Sequence, residues 1–387
     1  LNSLDRHVGP WLSRDDKTDM KKIILTFLLL AQLIPVVSFA GMKEFKLPVH
    51  GKWVTKLKKE KVLTTKPYQF TSPIVDYDRI FVGAASGYIY CLNRKDGHKV
   101  WFAKLDGGVY GDPVVSGAYV YIGDRKGNVY SINKLDGKTF WETNIGGEIS
   151  SKPIVTDDKV YFVTALGQLV ALNKESGARL WHTIKDTILP SMTIKGSSDP
   201  VLYNGYIYVG LADGSLVKFS SADGNKIWEK QLSNKRANFV DADASPVIAD
   251  DVIYISSVDG KTFALKVSDG GEIWRIEKGG ANDVAVEGDR IYLSVGGVVT
   301  CASRQTGITI WETSTGDVEI STPAVKDNVV AVASTDSRLY SIDKTTGELK
   351  YKRYIRKGSF GDPIIVDDML YVLSNTSRLF AFEGSRK

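Results

Sequence analysis

Apolar and polar residues alternate with period two through most of this chain. In RIFVGAASGYIYCLNRKDGHKVW, residues 79–101, short runs rich in Val, Ile and Tyr are broken at Ser-Gly and Asp-Gly. Such alternation predicts strands and excludes helical repeats of similar length. The pattern recurs. TSPIVDYDRIFVGAASGYIYCLNRKDGHKVW is followed by GDPVVSGAYVYIGDRKGNVYSINKLDGKTFW, and six further copies follow, the last cut short at FAF. Each copy reads as four strands: a short apolar strand after a proline, two alternating strands, and a fourth carrying Trp. The turn glycines Gly97, Gly137, Gly177, Gly224, Gly270, Gly307 and Gly347 supply the positive φ that such hairpins need. Four-stranded units of about 40 residues are propeller blades.

The tryptophans set the blade count. Trp11 precedes the repeats; Trp101, Trp141, Trp181, Trp228, Trp274 and Trp311 end six of them, and Tyr351 stands at the same position in the seventh. Trp53 lies ahead of the first repeat with no unit of its own, and the eighth repeat lacks a fourth strand. Residues 51–57 are therefore expected to supply that strand. The prediction is an all-β, eight-bladed propeller of four-stranded antiparallel blades, closed by the N-terminal strand completing the last blade. Closure is expected to remove exposed sheet edges. Trp53, Trp101, Trp141, Trp181, Trp228, Trp274, Trp311 and Tyr351 are expected to dock blade on blade, each buried ring contributing about 2–3 kcal/mol.

The rhythm breaks twice. The prolines fall at 73, 113, 153, 200, 246, 323 and 363, with Val284 in the sixth place. Two neighbouring intervals, 47 and 46 residues, exceed the others, which run from 38 to 40. The excess lies in 185–199 and 232–245, between a Trp strand and the next proline. Equivalent connections in adjacent blades emerge side by side, so these two are expected to form one raised patch. It would join the apolar Ile188, Leu189, Met192 and Ile194 to Lys195, Arg236, Asn238, Phe239, Asp241 and Asp243. Insertions in single repeats map to binding faces, and rimmed apolar patches mark protein contacts. The other reading is a connection folded back over a blade or into the central channel.

Composition adds limits. With 43% hydrophobic and 25% charged residues the chain is ordinary globular material, and a net charge of +5 is too mild to argue for nucleic acid. The densest basic run, TKLKKEKVLTTK, reads as a solvated strand end. From Met20, two lysines, the apolar run IILTFLLLAQLIPVV and Ser-Phe-Ala form a secretory signal pattern over 20–40. Residues 1–19 then read as an over-extended start or added sequence, and 41–387 as one exported propeller domain. Cys91 and Cys301 lie five repeats apart, so no disulfide is expected.

Catalytic signatures are missing. His7, His50, His98 and His182 stand at no metal-ligand spacing. There is no Cys-x-x-Cys, no phosphate-cradling glycine loop and no G-x-S-x-G. Asp241 and Asp243 alternate and would point the same way, which is thin for calcium, an ion that takes six to eight oxygens.

Repeats of the form A-x-(N/D)-x-x-(T/S/D)-G-x-x-x-W resemble those of pyrroloquinoline-quinone-dependent dehydrogenases, in which the Trp packs between blades. The adjacent Cys-Cys pair and metal-bearing insertions of those enzymes are absent from this sequence. The stretches LPSMTIKGSSDP, VDADASP and GGANDVAVEGDRIYLS resemble the BamB family more specifically, over about residues 51–382. BamB proteins are propeller subunits of the bacterial outer-membrane β-barrel assembly machinery. The resemblance implies a non-catalytic, cofactor-free periplasmic scaffold, monomeric, at the inner face of the outer membrane. Its implied partner is a BamA-like barrel subunit, bound through periplasmic POTRA domains, with unfolded barrel proteins as further clients. Met192, Ile194, Lys195, Asp241 and Asp243 match the family's contact positions. Gly41 stands where many members carry an acylated Cys, so membrane association is expected to run through the partner. The alternatives are a quinone-dependent periplasmic enzyme and a generic protein-binding propeller.

Overall fold

The computed structural model describes residues 45–46, 49–57, 69–183, 198–233, 244–280 and 282–385. The leader region and most of the basic run after Lys56 lie outside them. The described residues form eight separate four-stranded antiparallel sheets arranged as the blades of a propeller. The first strand, β1 (His50–Lys56), pairs with Arg378–Glu383 in register His50↔Glu383 to Lys56↔Arg378, and so completes the eighth blade. Blade 1 follows as β2 (Ile74–Asp76), β3 (Arg79–Ala84), β4 (Tyr88–Asn93) and β5 (Lys99–Lys104). Blades 2 to 7 repeat this order at 114–144, 154–182, 201–231, 247–276, 285–314 and 324–354. The short first strands of neighbouring blades approach one another, so they line the axis and the Trp strands form the perimeter.

Among the described residues there is no single central core: eight apolar clusters occur, one at each joint between adjacent blades. At the joint of blades 1 and 2, Phe81, Ile89, Cys91, Trp101 and Leu105 meet Val120, Ile122, Tyr130 and Ile132. The alternate residues of the same blade-1 strands, Ile80, Val82, Tyr90 and Leu92, turn to blade 8 and meet Tyr371, Leu373 and Leu379. Both faces of every blade are thus buried. This explains why the middle strands are almost continuously apolar, whereas the perimeter strands alternate buried and exposed residues.

Closure supplies the missing strand but leaves the sheet edges in place. Each blade is its own sheet, so eight perimeter strands keep one unpaired edge. A different device blunts them. Every perimeter strand shifts register by one residue just before its docking aromatic. The extra residue at each of these β-bulges is Lys52, Val100, Phe140, Leu180, Ile227, Ile273, Ile310 or Lys350, and all are exposed. Bulges on edge strands bend the edge away from a flat template for further pairing.

The turn glycines do more than permit a left-handed backbone. Gly137 has φ +75°, and a Cβ there would lie 2.6 Å from Trp101 Cε3, on the blade before. The same contact recurs as Gly97 on Trp53, Gly177 on Trp141, Gly224 on Trp181, Gly307 on Trp274 and Gly347 on Trp311, at 2.5–2.9 Å. Gly117 separates the two effects, because its φ is +59° and no atom lies within 4 Å of its Cβ position. Gly117→Ala is expected to cost about 1 kcal/mol of backbone strain, while Gly137→Ala adds overpacking and costs about 2–4 kcal/mol. Urea unfolding midpoints of the two variants measure the difference.

Candidate functional site

In each blade the perimeter strand and the second strand end on the same face of the ring, here named the connection face. The connections to the next blade start there, held by bonds such as Leu105 N–H to Gly87 O, 2.8 Å, and Val109 N–H to Ala84 O, 3.2 Å. The candidate residues Leu189, Met192, Ile194 and Lys195 fall in 184–197, and Arg236, Asp241 and Asp243 in 234–243. Both stretches lie outside the described residues. Their roots are described and tightly held. Ser198 is buried; its N–H donates to Gly210 O at 3.0 Å and its Oγ accepts from Gly210 N–H at 2.8 Å. Leu232 N–H donates to Gly214 O at 2.9 Å, and Ala244 is fully buried. One stretch enters blade 4 and the other leaves it.

Proline spacing hides a third long connection. Trp53 precedes Pro73 by 20 residues, against 19 for Trp181 to Pro200, 18 for Trp228 to Pro246 and 12 for Trp101 to Pro113. It escapes a proline count because it bridges the closing strand to blade 1, before the first repeat proline.

The residues just before the prolines form a belt that sequence inspection missed. Even blades carry Asp112, Asp199, Asp283 and Asp362; odd blades carry Ser72, Lys152, Ser245 and Thr322. Each Asp Oδ1 accepts the backbone N–H of its counterpart in the preceding blade: Ser72 at 2.6 Å, Lys152 at 2.8 Å, Ser245 at 2.5 Å and Thr322 at 2.9 Å. Two of the aspartates also reach the following blade: Asp199 N–H donates to Ser245 Oγ at 3.1 Å and Asp362 N–H to Ser72 Oγ at 3.2 Å. A two-blade period was visible in the sequence, but only the tertiary contact gives it meaning. These carboxylates are structural clasps at the axial rim.

Further out, three kinds of bond lock a joint. The indole N–H donates to a backbone carbonyl of the next blade: Trp53 to Arg94 O at 3.2 Å, Trp101 to Lys134 O at 3.0 Å, Trp141 to Lys174 O at 2.9 Å, Trp274 to Arg304 O and Trp311 to Lys344 O at 3.1 Å. Thr55, Thr143 and Thr313 donate to the carbonyls of Gly97, Gly177 and Gly347. Arg94, Lys134 and Lys344 reach back to Asp367, Asp76 and Glu287 at 2.6–2.8 Å, and Arg304 reaches Asp250. Tyr351 makes the seventh joint without an indole. It packs in the cluster holding Phe45 and Val49, and Phe45 N–H donates to Asp327 Oδ2 at 2.7 Å.

Among the described residues, no three His, Cys, Asp or Glu side chains gather in a way that would hold a metal ion. His98 is exposed beside Asp96, and His182 lies exposed next to Trp181. Cys91 and Cys301 are buried free thiols in different joints. Burial pushes Cys91 up to about 12, eased slightly by Arg79, and also raises Cys301.

The blades define the class: this is an eight-bladed β-propeller built from PQQ-like repeats. Residues 85–313 and 295–386 match the family described as outer membrane protein assembly factor BamB, and the chain belongs to that family. Curated relatives carrying that description include one from Kangiella koreensis, 26% identical over 200 residues, and one from Salmonella typhimurium, 28% identical over 203 residues. The alignments cover 49% and 50% of this chain, and the chain spans about half the length (51%) of each relative. The crystal structure of BamB from Moraxella catarrhalis superposes with a TM-score of 0.76 at 18% identity, covering 87% of this chain and 100% of that one. A europium-containing methanol dehydrogenase superposes at 0.74 with 12% identity, covering 88% and 95%. At such identities the superpositions report the fold alone.

Neither thiol is expected to react with an aromatic disulfide reagent at pH 8 in the folded chain, while both react in denaturant. A raised thiol pKa contributes stability below the ordinary value of 9.0, which is lost as pH climbs from there toward about 12. Thermal melts between pH 8 and 11 check the sign.

Proposed function

We propose that this protein is a non-catalytic periplasmic scaffold in outer-membrane protein assembly. It binds the POTRA domains of a BamA-like barrel subunit through the two long connections around blade 4. Family membership supports the assembly role, since the matching relatives are described as outer-membrane assembly factors. The observation that carries the contact assignment is that both connections attach to one blade and start from one face of the ring. Leu189, Met192 and Ile194 then supply apolar anchors, while Lys195, Arg236, Asp241 and Asp243 set register and suppress wrong partners. Membrane association runs through this partner, the scaffold acts as a monomer, and unfolded barrel proteins are further clients.

Reversing two charges tests the assignment. Lys195→Glu combined with Asp241→Lys is expected to weaken binding to purified POTRA domains at least tenfold in calorimetry, with an unchanged circular dichroism spectrum. Unchanged affinity in a folded double variant rejects the two connections as the contact.

A further inference from the structure

The two joints that flank blade 4 lack the locks found elsewhere. Trp181 Nε1 and Trp228 Nε1 are buried with no hydrogen-bond partner among the described residues. At these two joints the equivalent carbonyls receive a different donor. Tyr161 Oη donates to Ser221 O at 3.0 Å, and Lys218 Nζ donates to Val267 O at 3.2 Å. The cation that reaches back to the preceding blade at other joints is replaced by Ser221 and Val267. Thr183 holds the position from which Thr143 clasps the next blade, yet its Oγ1 accepts Leu169 N–H within its own blade at 3.0 Å. Lys230 follows in that position at the second joint. The Trp228 joint is also the widest, because a Cβ on Gly270 would stand 3.2 Å from that ring against 2.5–2.9 Å at the other six Trp joints. Tyr208 Oη, in the same cluster as Trp228, is buried without a partner too.

Partial substitutes exist, and they are weak. Lys218 sits 4.1 Å above the Tyr206 ring, a cation held in an apolar joint, where burial lowers its pKa. Tyr203 Oη donates to Asp251 Oδ1 at 3.1 Å on the exposed rim. At the axis blade 4 is pinned on both sides, where Asp199 Oδ1 accepts from Lys152 N–H and Asp199 N–H donates to Ser245 Oγ.

We infer that blade 4 is the compliant blade of the ring, pivoting on Asp199 at the axial rim while its perimeter joints to blades 3 and 5 open and close. A buried donor with no acceptor destabilises the closed joint, so these two joints open at lower cost than their neighbours. Both long connections are rooted on this blade. Resting on the reading that they grip the partner, the pivot lets the two adjust their separation as it docks.

The readout is exchange of tryptophan indole N–H groups into deuterated water, followed by NMR on the full folded chain with indole-labelled Trp. It needs no substitution in the first instance. Trp181 and Trp228 are expected to exchange at least tenfold faster than Trp101, Trp141 and Trp311. Equal rates across all five overturn the compliant blade. Ser221→Arg places a cation where Asp157 can pair with it, as Arg304 pairs with Asp250. It is expected to slow Trp181 several-fold and leave Trp101 unchanged; no slowing in a folded variant counts against the pivot. Adding POTRA domains is expected to change the rates of Trp181 and Trp228 alone. Binding with no such change overturns the coupling to docking. Failure to bind overturns the contact assignment and leaves the rates in the free chain as an independent result.

Discussion

The ring depends on one repeated contact: an aromatic side chain of one blade lying flat under a side-chain-free turn of the next. Trp101 beneath Gly137 represents all seven. A twisted four-stranded sheet has two apolar faces and cannot bury either alone, so each blade needs a neighbour on both sides. The glycine lets the turn approach the ring closely, and the β-bulge just before the Trp delivers the indole there. These seven joints and an eighth at Tyr351 must close on themselves. That is why the chain begins its propeller with a lone strand whose only sheet partner lies more than 300 residues away.

The joints are built alike but not locked alike. Where the indole finds a carbonyl and a Lys or Arg finds a carboxylate, two blades are fastened at several points. Each surface ion pair contributes at most about 1 kcal/mol, yet together they restrain how neighbouring blades tilt. Around blade 4 the axial belt is kept, while the indole bonds and the outer cation–carboxylate pairs are missing among the described residues. Side-chain identity contributes to the asymmetry: Ser221 and Val267 replace a cation, and Tyr161 and Lys218 donate to the carbonyls. The part of the propeller that carries the two long connections is thus also the part least tightly held.

Much of the candidate site was legible in sequence as position but not as shape. Interval lengths between prolines marked two long connections, and repeat order put them on adjacent blades. The same count overlooked the connection between Trp53 and Pro73, because the closing strand lies at the other end of the chain from its blade's repeat proline, Pro363. The orientation of Met192, Ile194 and Lys195 has no repeat to infer it from, since each long connection is unique to its blade. The carboxylates of Asp112, Asp199, Asp283 and Asp362 resembled ordinary loop acids. Their role required knowing which backbone N–H lies opposite, some 40 residues away.

By itself the sequence determined the number of blades, the strand order within each, the closing strand and the positions of the docking aromatics. All of these follow from local periodicity and from glycine's conformational freedom, which act within a few residues. Only the tertiary structure decided which partner each polar group found across a joint. It showed that the axial aspartates clasp preceding blades, that the perimeter edges survive closure under exposed bulges, and that Trp181 and Trp228 are left without acceptors. Those outcomes depend on which polar groups of different strands and blades come within reach of one another across a joint. Nothing within one repeat records that meeting.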